Sequence, residues 1–146
     1  MHPMVNATDV RKHWSEFIDD IVRSKPSFVK RNRDILTILS LEQMESILDT
    51  FKFRLKVFKE DDSSFTGVLE ELDLMANDME FDQMFDTLFN DLLDYSKEYM
   101  DNFDFYYKSP NRKKHFPYIY KIITHENDPD KIKEDIELYR VEKNHA

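Results

Sequence analysis

The chain has 146 residues, enough for one domain or two very small ones, and 30 Asp and Glu against 21 Lys and Arg give it a formal charge of −9. That sign argues against wholesale coating of nucleic acid or anionic membrane. The lack of Cys excludes thiolate zinc sites, disulfides and thiol nucleophiles, while the single Gly67 excludes a Walker loop or a dinucleotide fingerprint.

Helical spacing of Val10, Trp14, Phe17, Ile18 and Ile21 predicts one amphipathic helix over residues 7–23. Asn6 is its expected N-cap, with Asp9 closing a short capping box, and Lys25-Pro26 stops it. Phe28-Val29 and Ile35–Leu39 flank the polar Lys30-Arg31-Asn32-Arg33-Asp34, a hairpin with a basic tip. Ser40-Leu41-Glu42-Gln43 is a capping box opening a second helix, with Leu41, Met44, Ile47 and Leu48 expected inward.

Phe51 to Val57 alternates apolar with Lys52, Arg54 and Lys56, a half-buried strand. The turn Glu60-Asp61-Asp62-Ser63-Ser64, Phe65–Glu70, and the alternation of Leu72, Leu74 and Ala76 complete a three-strand meander. A long helix is expected over 79–101, with Phe81, Met84, Phe85, Leu88, Leu92, Tyr95 and Tyr99 inward and acids outside. Ile119, Ile122 and Ile123 predict a short helix. Asp128-Pro129 opens a last helix through Ile132, Ile136 and Tyr139.

Charge is blocked along the chain: residues 1–60 are net +2, 61–107 net −13 and 108–146 net +2. No apolar run approaches the roughly 18 residues of a membrane span, and residues 1–20 lack a signal-peptide pattern, so a cytoplasmic protein without a membrane partner is expected. The five His show no metal-ligand spacing, and no nucleophile–base pair stands out. The expectation is therefore no catalytic residue, no metal and no cofactor.

Residues 5–50 resemble the Phd/YefM antitoxin domain. The pieces are Val5-Asn6, Thr8-Asp9-Val10-Arg11 with Trp14, Phe28 to Arg33, and Ile38-Leu39-Ser40-Leu41-Glu42-Gln43-Met44. Arg33 stands where the family often has glycine, and Val10 where it favours alanine. Residues 51–101 resemble a HicB-like module, through Lys56–Lys59, the acidic turn to Gly67, Leu72–Ala76 and the helix reaching Tyr99. Glu70-Glu71-Leu72 replaces the module's usual Pro and Gly.

These resemblances imply an α+β protein with a dimerising, DNA-binding domain over 1–50 and an acidic, toxin-binding domain over 51–146. The implied function is an antitoxin that neutralises a co-encoded toxin, such as a basic mRNA interferase, and represses its own operon. Its partners would be that toxin, operator double-stranded DNA and a second copy in a homodimer. Arg11, expected at the helix start, is the leading implied DNA contact, with Lys12, Lys30, Arg31 and Arg33; a helix N-terminus and Arg suit phosphate and guanine edges. Asp82, Asp86, Asp91 and Asp94 on the long helix are the candidate partner contacts. The rival expectation is an acidic inhibitor or adaptor, a nucleic-acid mimic or a protein-interaction module, without DNA binding. Tyr106 to Phe116 mixes cations with aromatics and is a secondary candidate contact surface.

Overall fold

The computed structural model describes residues 4–142, which divide into two compact units at Asp49/Thr50. Each unit has its own sheet.

The first unit begins with strand β1 (Met4–Asn6) and helix α1 (Ala7–Lys12), capped by Asn6 Oδ1 accepting from the Thr8 amide at 2.8 Å. Helix α2 (Trp14–Arg23) follows at once. The single helix expected over 7–23 is thus two. His13, at φ −122° and ψ 41°, breaks it and turns the next residue out of line. Trp14, expected inward, is consequently 55% exposed, while Val10, Phe17 and Ile21 keep the buried face. Strands β2 (Ser27–Arg31) and β3 (Asp34–Ile38) form an antiparallel hairpin, and β1 pairs with β2 in parallel. Asn32 takes the left-handed conformation of the two-residue turn at φ 54°, and Arg33 does not, so the turn closes without glycine at 33.

Helix α3 (Leu41–Leu48) starts as expected, with the Ser40 hydroxyl accepting from the Gln43 amide and the Gln43 side chain accepting from the Ser40 amide. Gln43 also donates to the Ile21 carbonyl at 3.2 Å, tying α3 to the end of α2. Leu48 is buried and Met44 half-buried, but Leu41 and Ile47 are exposed, against expectation. The core is small: Val10, Phe17, Ile21 and Val29, flanked by Val5, Ala7, Ile18 and Ile38.

The second unit is larger. Its strands β4 (Phe53–Lys59), β5 (Phe65–Leu69) and β6 (Leu74–Asp78) form the expected meander, with the acidic turn as a hairpin between the first two. A single 3-10 turn at Glu70–Leu72 leads into Asp73, whose positive φ of 55° stands in for the missing glycine. Helix α4 (Phe81–Asp101) lies against the sheet and buries Met84, Leu88, Phe89, Leu92, Tyr95, Ser96 and Tyr99. Then come α5 (Phe103–Lys108), α6 (Phe116–Thr124) and α7 (Pro129–Glu134), the last capped by Asp128 as expected.

That last helix does not continue to Tyr139. It stops at Glu134, and Ile136–Val141 is strand β7, parallel to β4 in a sheet of order β6-β5-β4-β7. The physical reason is tertiary. β5 occupies one side of β4 and leaves the other open, and residues 136–141 carry β-branched and aromatic side chains suited to it. Ile136 packs on the core there.

Candidate functional site

The expected DNA contacts are all exposed. Arg11 and Lys12 occupy the last turn of α1, so Arg11 is not at a helix start as expected, and a dipole argument for phosphate does not apply to it. Lys30 and Arg31 end β2, and Arg33 lies in the turn beyond. Parallel pairing of Met4, Val5 and Asn6 with Phe28, Val29 and Lys30 sets Lys30 beside Asn6, the N-cap of α1. The start of α1 and the basic hairpin tip therefore share one end of the three-stranded sheet, because both follow the C-terminal ends of parallel strands.

Asp82, Asp86, Asp91 and Asp94 are likewise exposed, on the face of α4 turned from its buried residues. They do not form one patch. At 100° per residue, Asp82 and Asp86 form one stripe, and Asp91 and Asp94 a second roughly a third of a turn away.

Part of the aromatic–basic stretch is engaged within the protein. The Arg112 guanidinium lies over the rings of Tyr95 and Tyr106, 5.3 and 5.9 Å from their centroids, and Lys113 lies over Tyr107 at 5.0 Å. Tyr99 Oη donates to the Arg112 carbonyl, while Tyr99 and Tyr106 stack at 5.1 Å. Both cations thus spend their charge on the faces of the protein's own rings.

Sequence spacing missed two buried polar arrangements. His115, fully buried, sits between Tyr95 and Asp73. Lys121 buries its stem and donates to the Phe51 carbonyl at 3.0 Å, with Asp135 at 3.6 Å. Both join residues many positions apart, and no local pattern marks them. Neither arrangement lies among three or more metal-ligating side chains, of which no group occurs among the described residues. No helix among them is long and apolar enough to cross a membrane.

Among curated proteins, none matches the chain. Among solved structures, the antitoxin part of a candidate toxin/antitoxin system from Syntrophomonas wolfei subsp. wolfei is similar, at 35% identity and a TM-score of 0.85, covering 96% of this chain and 100% of that one. The family model PHD_like, described as antitoxin of toxin-antitoxin, RelE / RelB, TA system, matches residues 1–138. The chain thus belongs to the PHD_like family of toxin–antitoxin antitoxins, regulatory proteins rather than enzymes.

Proposed function

We propose that this antitoxin neutralises its cognate toxin by direct binding and represses its own operon as a homodimer on operator DNA, with the first unit in the Phd/YefM manner. The observation that carries the dimer is β3. It is a sheet edge, and its first four residues are exposed. Ile35 and Leu36 are neighbours and so face opposite sides of the sheet, yet each is about half exposed. A bare edge strand of this kind is a template for another chain.

Trp14, Val22, Leu41 and Ile47 add exposed apolar surface to a unit whose core cluster is small. Covering the exposed half of each such side chain contributes about 1 kcal/mol. Association itself costs about 4–15 kcal/mol, so a stable dimer needs most of these residues on both copies.

Two-fold symmetry would then present two copies of the basic end of the sheet, matching a palindromic operator. Arg11, Lys12, Lys30, Arg31 and Arg33 supply the positive charge; Lys positions on phosphate, and Arg also reads guanine. The acidic second unit, with Asp82, Asp86, Asp91 and Asp94 on α4, faces the toxin. Its buried core supports rigid docking rather than folding on binding.

The test is a gel shift on the promoter of its own operon, with sedimentation of the free protein. Binding should weaken steeply with salt and disappear in the double variant Arg11→Ala, Arg31→Ala, while the free protein sediments as a dimer. A wild-type protein that leaves the promoter unshifted would favour the rival reading, an acidic inhibitor or adaptor whose first unit only dimerises.

A further inference from the structure

A row of leucines stands in register across the second unit's sheet. Leu74 pairs with Leu69, Leu69 with Leu55 and Leu55 with Leu138, so their side chains share the face that packs on α4. The row is sealed in its middle and open at one end. Leu69 and Leu55 are buried and Leu74 packs on the core, whereas Leu138 is 46% exposed. Leu138 is bare because β7 is the last strand of the sheet, with β4 as its one neighbour there. Tyr139, on the opposite face, is 45% exposed. Such an edge also turns alternate N–H and C=O groups away from the sheet. β7 runs in unbroken register with β4, has neither Lys nor Pro, and carries one charge of each sign, Glu137 and Arg140.

We infer that β7 is a self-pairing edge, on which a second copy of this chain adds its own β7 antiparallel, joining two four-stranded sheets into one. A two-fold axis at Leu138 sets the register. Leu138 then meets its own counterpart, and the leucine row runs on through both copies. On the outer face Glu137 lies opposite Tyr139, a pairing already made within the strand, where Tyr139 Oη donates to Glu137 at 2.7 Å. Ile136 lies opposite Arg140, so no like charges oppose one another.

Charge separates this edge from β6 at the far side of the sheet. No Lys or Arg occurs between Lys59 and Lys97, so two copies meeting along β6 would bring only carboxylates together. Residues 131–142 carry three cations against four acids, and two copies meet there with little repulsion. A basic toxin is drawn to the acidic segment, while a nearly neutral strand that ends a leucine row suits an identical strand. One strand edge is a small contact, so the pairing grows with protein concentration. It adds a second contact between antitoxin copies gathered at one promoter, a consequence that rests on the operator-binding reading, whereas the edge itself does not.

The experiment is residue-resolved amide hydrogen exchange on the full chain over about a hundredfold range of its own concentration. Alternate amides within residues 136–141 should gain at least about tenfold protection at the highest concentration, the signature of new main-chain bonds. The gain should persist in Leu36→Lys, whose first-unit edge is disabled, and disappear in Leu138→Lys, whose half-exposed position lets the ammonium reach water. Exchange indifferent to concentration overturns the inference and leaves the first-unit dimer standing. A gain that vanishes in Leu36→Lys belongs to the first-unit dimer and overturns it as well. Protection that appears only when the toxin encoded beside it is added assigns the edge to the toxin, and that too overturns the inference.

Discussion

Tyr95 Oη and His115 Nδ1 lie 2.7 Å apart inside the second unit. Asp73 Oδ2 stands 3.3 Å from the opposite ring nitrogen, close enough for charge interaction but not aligned as a hydrogen bond. A carboxylate only accepts, so the ring hydrogen belongs on Nε2 facing Asp73, and Nδ1 accepts from the phenol. Burial raises the pKa of Tyr95 and keeps that proton in place. Burial also dominates His115 and lowers its pKa below the ordinary 6.5. Arg112 and Lys114 push the same way, and Asp73 opposes them.

The imidazole is therefore neutral in the fold at pH values where it is charged in the unfolded chain. Below about pH 6.5 the unfolded state binds the extra proton, so stability falls as pH drops from there toward the lowered pKa. Glu71, whose pKa burial raises, contributes with the opposite sign, in a window opening upward from 4.5. Thermal unfolding measured from about pH 7.5 to pH 5 should decline more steeply for the wild type than for His115→Gln, whose difference curve cancels Glu71. Parallel curves would remove the imidazole from the account.

Gly67 is needed for space rather than for backbone freedom. It lies on β5 opposite Val57 and Ala76, and its φ is not positive. A methyl group there would overlap Met84 Sδ and come 3.1 Å from Leu55 Cδ1, and both neighbours are fully buried. Gly67→Ala should cost about 1–3 kcal/mol by overpacking. Met84 is the flexible partner, so adding Met84→Leu, which withdraws the sulfur, should recover part of that loss in urea unfolding. An Ala variant as stable as the wild type would show that the thioether moves aside freely.

The elements built on local signals are legible in the amino-acid order alone. The caps at Asn6, Ser40 and Asp128 depend on one or two neighbouring residues, and each forms its hydrogen bond. The alternation in β4 and the long apolar stripe of α4 are equally plain, because both repeat over whole elements. What local patterns miss depends on distant parts of the chain. Ile132, Ile136 and Tyr139 fit a helical stripe, but residues 136–141 also suit a strand, and only the vacant side of β4 decides between the two. Trp14 fits the stripe of an unbroken helix, and the break at His13 takes it off. The candidate cations and acids are identifiable as exposed charges; that Lys30 sits beside the N-cap of α1 follows only from the β1–β2 pairing.

Lys121 anchors three separate parts of the second unit. Its ammonium donates to the carbonyl of Phe51 just before β4, stands 3.6 Å from Asp135 just before β7, and lies 5.9 Å from the Phe53 ring centroid. Lys121→Met keeps the packed stem and removes the donor, leaving the carbonyl unpaired, at about 1–3 kcal/mol. The Asp135 side chain is a third exposed, so screening limits Asp135→Asn to about 1 kcal/mol or less. The ordering of the two variants in chemical denaturation is the check. A larger loss for Asp135→Asn would mean that the ion pair, not the carbonyl bond, holds the strand ends together.

The two acidic stripes on α4 permit a separation of steering from contact. Long-range attraction depends on total charge, so Asp82→Asn with Asp86→Asn, and Asp91→Asn with Asp94→Asn, each remove the same two charges from a −13 segment. Both double variants should slow association with the toxin by a similar factor, roughly two- to fourfold at low salt, converging with the wild type as the Debye length shortens. Dissociation reports short-range contact instead. The stripes lie on different flanks of the helix, so a toxin seated on one flank should leave faster from only one of the variants. Stopped-flow association and surface-capture dissociation measure the two rates independently. An association rate flat in salt for the wild type would eliminate steering by this helix, and dissociation at the wild-type rate in both variants would place the toxin contact off α4 altogether.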